Sequence, residues 1–79
     1  MKLSKKEELV ALGSLLYLIG IEIDGNRAGL QEIVDRHGGV ESIPATQEVL
    51  DKIRAIENAE QEFTRLEKRF LELEREIRA

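Results

Sequence analysis

Along the first third of the chain, apolar residues fall on more than one side of any helix they form. Leu9, Leu12, Leu16, Ile19 and Ile23 recur at alternating three- and four-residue steps, the a/d spacing that gathers side chains into one seam. Val10, Leu15, Tyr17, Leu18 and Ile21 lie off that seam, so the same helix carries a second apolar face. Ser4-Lys5-Lys6-Glu7 marks its start. This is a capping box: the Ser hydroxyl accepts from the third helical N–H, and the Glu reaches back to the cap N–H. The pattern predicts a helix over about 4–23. Gly13 and Gly20 each cost ~1 kcal/mol against Ala in its interior, and they allow a close helix crossing or a bend near Gly20.

Asp24-Gly25-Asn26 reads as a break, with Asp24 or Asn26 available to cap a second helix. Leu30, Ile33, Val34 and His37 return to helical spacing, which predicts a short helix over about 26–37. Gly38-Gly39 ends it, with Val40 placed for the hydrophobic contact of a glycine C-cap. A long third helix is predicted over about 44–78. Pro44 suits its first turn, and Thr46 is a rival start. Val49, Ile56, Phe63, Phe70 and Ile77 stand at strict sevens, interleaved with Lys52, Ala59, Leu66 and Leu73. Four successive heptads meet the requirement for a coiled-coil seam. Leu50 and Ile53 widen the apolar face near the start, and Leu71 is the one outlier beyond Phe63. Glu48 and Asp51 in the early turns, and Arg75 and Arg78 in the last, match the helix dipole. Glu48–Lys52, Lys68–Glu72 and Glu74–Arg78 are spaced to pair along one face.

Length then decides the architecture. At 1.5 Å per residue the three helices run ~30, ~18 and ~50 Å, so the first two end to end match the third. The expected fold is all-α: one domain over 1–79, a bent antiparallel hairpin with two shorter helices against one long C-terminal helix. In it the leucine seam of the first helix faces the phenylalanines of the third, and the second face of the first helix is left bare.

A chain of 79 residues buries a modest share of its surface and usually needs disulfides, a metal or oligomerisation. With no cysteine and one histidine, disulfides, thiolate zinc sites and cysteine catalysis are excluded, and so is a multi-histidine metal site. Oligomerisation remains. The bare face exceeds what monomers ordinarily expose, so an oligomeric helical bundle is expected, most simply a two-fold homodimer with a four-helix core. Its expected interface is Leu9, Leu12, Leu15, Leu16, Leu18, Ile19 and Ile23. The coiled-coil end at Phe63, Leu66, Phe70, Leu71, Leu73 and Ile77 is expected to contact either the oligomer or a protein partner.

A membrane span competes for the same segment. Residues 9–21 are uncharged, but a span needs about 20 residues, and Glu7, Glu8, Glu22 and Asp24 crowd both ends. Lys2, Lys5 and Lys6 before the apolar run faintly resemble a signal peptide, but the two glutamates intervene and no small-residue cleavage site comes after the run. The expectation is a cytoplasmic protein that does not bind membranes. Nucleic acid is disfavoured by the net charge of −4 and by the lack of a basic stripe. A helix-turn-helix has its parts in order, but the would-be recognition helix opens on Glu48 and Asp51, which repel phosphate.

Candidate chemistry is thin. Residues 24–35 overlay a calcium loop at Asp24, Asn26, Gly29 and Asp35. Ala28 supplies no ligand at the fifth position, Gln31 replaces the apolar anchor at the eighth, and Asp35 is shorter than the bidentate Glu at the twelfth. A capping turn is the better reading. His37 has no nucleophile or orienting carboxylate on its helical face and reads as a helix-end histidine over the last carbonyls. Glu60, Glu67 and Glu74, with Glu62 and Glu76, flank the seam as solvating or pairing charges. The expected function is therefore non-enzymatic, with no cofactor. The protein is expected to be an adaptor, regulator or chaperone-like homo-oligomer that binds a protein partner. The alternative is a small anionic ligand at a subunit junction, held by helix N-termini and by Arg27.

Overall fold

The computed structural model describes residues 2–79. Helix α1 spans Lys5–Arg36 and helix α2 spans Gln47–Arg78, with one 3-10 turn, Val40–Ser42, between them. The two helices pack against each other, and no strand occurs among the described residues.

Ser4 caps α1 as its sequence requires. Glu7 N–H donates to Ser4 Oγ at 3.2 Å, and Ser4 N–H donates to Glu7 Oε1 at 3.0 Å. The Ser4 backbone N–H, and after it the Ser4 side chain, hold the Glu7 carboxyl below its ordinary pKa. The other end of α1 closes in a Schellman turn. Gly39 N–H donates to the Val34 carbonyl at 3.0 Å and Gly38 N–H to the Asp35 carbonyl at 3.4 Å. Gly38 sits at φ +80°, where a Cβ would clash with the backbone, which is why glycine ends the helix there. His37 Nδ1 lies 2.9 Å from the Ile33 carbonyl, as a helix-end histidine should. Val40 is exposed instead of closing the cap. Thr46, not Pro44, caps α2: its Oγ1 accepts from Val49 N–H at 3.4 Å, and Pro44 stays in the connection.

The break expected at Asp24-Gly25-Asn26 does not occur. The segments expected at 4–23 and 26–37 form one helix of 32 residues. The physical reason lies in the seam. Beyond Ile23 its alternating steps continue through Asn26, Leu30 and Ile33 without a change of phase, and Ile23 and Ile33 are both buried. Gly25 keeps a negative φ, so it costs the helix only ~1 kcal/mol. Asn26 turns its amide back onto the Glu22 carbonyl at 3.0 Å, using locally the hydrogen bonding that a cap would use. Packing along an unbroken stripe outweighs two weak turn signals.

Two crossings fix the antiparallel register. A Cβ on Gly13 would stand 3.5 Å from the Phe70 ring, and one on Gly29 would stand 3.2 Å from Lys52 Nζ. Lys52 thus lies inward over Gly29 and forms no pair with Glu48. Counted from these crossings, Ile23 falls opposite Ala59 and Asn26 opposite Ile56. Leu12, Leu66 and Leu73 form the core, with Leu9, Leu16, Ile19 and Phe70 packed on it. Ion pairs flank the seam. Arg69 reaches Glu8 at 3.1 Å and also lies within 3.6 Å of Glu72. Lys5 pairs with Glu76 at 3.5 Å, and Arg27 with Glu60. The molecule measures 52 × 23 × 14 Å. Its thickness is about one helix diameter, so the core is a single layer. Among the described residues Leu73 alone is fully enclosed.

Candidate interaction surface

A helix in a two-helix hairpin has one neighbour, so one stripe of its surface can be covered within the chain. On α2 most apolar residues match that limit: Val49, Ala59, Leu66 and Leu73 are buried, Leu50, Ile53 and Leu71 are exposed singly, and charged residues occupy most of the rest. On α1 they do not. Leu12, Ile23 and Ile33 are buried toward α2, with Leu9, Leu16, Ile19 and Leu30 partly so. Val10 (70%), Tyr17 (70%), Leu18 (60%), Ile21 (51%) and Leu15 (46%) are left in water. At 100° per residue, Val10, Ser14, Tyr17 and Ile21 point nearly opposite the seam, and Leu18 and Leu15 broaden that face on one side. Gly25 and Ala28 continue it toward the C-terminal end. Its central line carries no charged residue between Glu7 and Glu32, while Glu22, in line with Leu15 and Leu18, and Asp24, in line with Tyr17, stand at its flanks.

The structure therefore divides the expected interface. Leu15 and Leu18 lie on the outer face. Leu9, Leu12, Leu16, Ile19 and Ile23 lie in the intrachain seam, because α2 runs along the whole of α1 and takes its most regular stripe. The coiled-coil end divides in the same way. Phe63, Leu66, Phe70, Leu73 and Ile77 face α1, and Leu71 is exposed. A substitution at Leu16 would strike the hairpin itself, so it cannot report on assembly alone. Ala11, Ser14, Gly25 and Ala28 are small residues that extend the outer face, and no sequence signal singles them out. Their alignment shows only once α1 is continuous.

The remaining candidates do not converge. Residues 24–35 are helical throughout, so Asp24, Asn26 and Asp35 radiate from the axis instead of enclosing a cation. No group of three or more metal-ligating side chains comes together among the described residues. Arg27 stands mid-helix, with no helix N-terminus beside it, and it is ion-paired with Glu60. Within one chain, therefore, no helix N-terminus joins Arg27. An open, shallow depression of about 440 Å³ lies along α2 among Glu57, Glu60, Gln61 and Thr64. It is one face of one helix and encloses nothing. No described helix is long and apolar enough to cross a membrane. No family model matches the chain, and neither a curated protein nor a solved structure matches it.

Proposed function

We propose that the protein is a non-enzymatic helical interaction protein that acts as a homo-oligomer, joined through the outer face of α1, and binds a protein partner as an adaptor or regulator. The single observation that carries this reading is the exposure of Val10, Leu15, Tyr17, Leu18 and Ile21 on the side of α1 turned away from α2.

Magnitudes support it. Their exposed fractions add up to about three whole side chains per copy. At ~1.5–3 kcal/mol per buried side chain, two copies gain ~9–18 kcal/mol from a complete contact. Association costs ~4–15 kcal/mol in lost freedom, so the gain exceeds the cost over most of that range. The thin hairpin adds a second reason, since a single layer of core seldom sustains a short chain alone. Once α1 is covered, the carboxylate-lined side of α2 around Glu57 and Glu60 remains open, and a protein partner would meet that surface.

Sedimentation equilibrium tests the proposal. The unaltered chain is expected to run at a multiple of its 9.0 kDa mass, and Leu18→Glu is expected to lower that mass. A 9.0 kDa species for the unaltered chain, or an unchanged mass for Leu18→Glu, would overturn it.

A further inference from the structure

The homo-oligomer reading leaves open how two copies meet, and the outer face of α1 carries information on that point. Glu7 closes it at one end and Glu32 at the other, and both lie close to the direction opposite the α2 seam. Between them the line of Ala11, Ser14, Leu18, Ile21, Gly25 and Ala28 has its large residues in the middle and its small ones at both ends. It reads alike in either direction about a point beside Ile19 and Gly20. The face runs ~37 Å along a helix ~10–12 Å across, which covers ~400 Å² on each copy. Two copies together bury ~800 Å², the size of a weak or transient interface. An occupant must therefore use the whole length of the face, and a partner of the same length and shape does so.

Charge selects the orientation. Lys6 lies beside one end of the face and forms no ion pair among the described residues, whereas at the other end lie Asp35, which accepts from the Gln31 amide, and Glu32, which pairs with Arg36 in its own chain. Antiparallel packing brings Lys6 to Glu32 and Asp35 of the second copy. It also brings Glu7 to the second copy's Arg36 as well as to its Glu32. Parallel packing stacks each of these residues on itself. It also aligns the two helix dipoles side by side, whereas the antiparallel arrangement opposes them favourably.

We infer that α1 packs antiparallel on α1 of a second copy, about a two-fold axis beside Ile19 and Gly20. This register sets Leu18 against Ile21 and Ala11 against Ala28 of the other chain. The inference rests on the homo-oligomer reading and adds to it the partner's face, direction and register. The small residues at either end allow the backbones to approach. Leu18 and Ile21 from both copies fill the centre. α2 of each copy lies on the outside of the assembly, away from the two-fold axis.

The absence of native cysteine makes disulfide trapping a clean test. Ala11→Cys and Ala28→Cys are prepared as separate full-length chains, and both sites are exposed. The chains are mixed and equilibrated in a glutathione redox buffer, and the products are resolved by mass. The inference expects the mixed Ala11→Cys/Ala28→Cys dimer to exceed either self-linked dimer by roughly ten-fold or more, because only facing positions have a high effective concentration. Ser14→Cys with Gly25→Cys reads the same register at a second place, in case one variant folds poorly. Ala11→Cys linking to itself would show a parallel pair and overturn the inference. A dimer by sedimentation that links at neither mixed pair would place the contact elsewhere, again overturning the inference while the homo-oligomer reading stands. A monomer by sedimentation would overturn both.

Discussion

Asn26→Leu reverses sign between the two ways of reading the middle of α1. Were Asn26 the cap of a separate helix, removing it would cost ~0.5–2 kcal/mol. In the continuous helix Asn26 is instead a polar residue in an otherwise apolar seam, partly buried and opposite Ile56. Leucine there covers roughly half of an apolar side chain, worth ~1–1.5 kcal/mol, and gains a few tenths in helix propensity. The bond lost, from Asn26 Nδ2 to the Glu22 carbonyl, is exposed, so water replaces it at little cost. The net expectation is a stabilisation of ~1–2 kcal/mol, or a rise of roughly 4–8 °C in Tm per kcal/mol for a chain of this size. Urea titration and thermal melting followed by circular dichroism, at matched protein concentration, measure it. A lower midpoint for Asn26→Leu would refute the unbroken seam. A polar residue in such a seam commonly fixes register at a cost in stability, so the stabilised variant should also tolerate a shifted hairpin alignment.

The helix ends give two further outcomes. Gly38→Ala places a side chain at φ +80° and should lower stability by ~1–2 kcal/mol, read as a lower urea midpoint; an unchanged midpoint would contradict the Schellman turn. Glu7, whose carboxyl is held below its ordinary pKa by Ser4, stabilises the start of α1 above its unfolded value. That contribution is lost as the pH falls through the lower folded value. The Glu7 carboxyl, titrated by NMR, should therefore show a midpoint below the ordinary glutamate value; a midpoint at or above it would remove the capping box.

The parts of the fold that are legible in sequence are those that one local signal decides. Ser4 with Glu7, and Gly38-Gly39, each mark a helix end by their own chemistry, and the structure uses both, whereas at the start of α2 the expected Pro44 gives way to Thr46, the rival start. The strict sevens from Val49 to Ile77 locate the α2 seam. The expectation fails at Asp24-Gly25-Asn26, where two signals conflict. Composition there favours a turn, while phase favours continuation, since Ile23, Asn26, Leu30 and Ile33 keep the same alternation as Leu9 to Ile19. Phase is the stronger signal because it reports burial on both sides of the doubtful residues, whereas a lone glycine at negative φ costs a helix about 1 kcal/mol. The candidate surface is legible only in part for a related reason. The leucine seam of α1 meets the phenylalanine side of α2 as the spacing predicts, but the expected interface still takes in residues of that seam, and so it merges the intrachain stripe with the outer face.

That division changes what a mutation on α1 reports. Leu12 and Leu16 face α2, so their loss acts on the hairpin first, whatever lies on the outer face. Leu18 and Tyr17 are mostly exposed, so their substitution acts first on whatever covers them. In the proposed assembly the two effects are still linked, because the core is one layer thick and covering the outer face stabilises the folded chain by mass action. The melting midpoint of the unaltered chain should then rise with protein concentration. Leu18→Glu should lose that dependence and melt near the low-concentration limit. Leu16→Glu should lose structure at every concentration. The contrast between adjacent turns of one helix separates an assembly face from a core stripe more sharply than either variant alone. A concentration-independent midpoint for the unaltered chain would mean that the hairpin stands by itself and that its exposed leucines are not covered by a second copy.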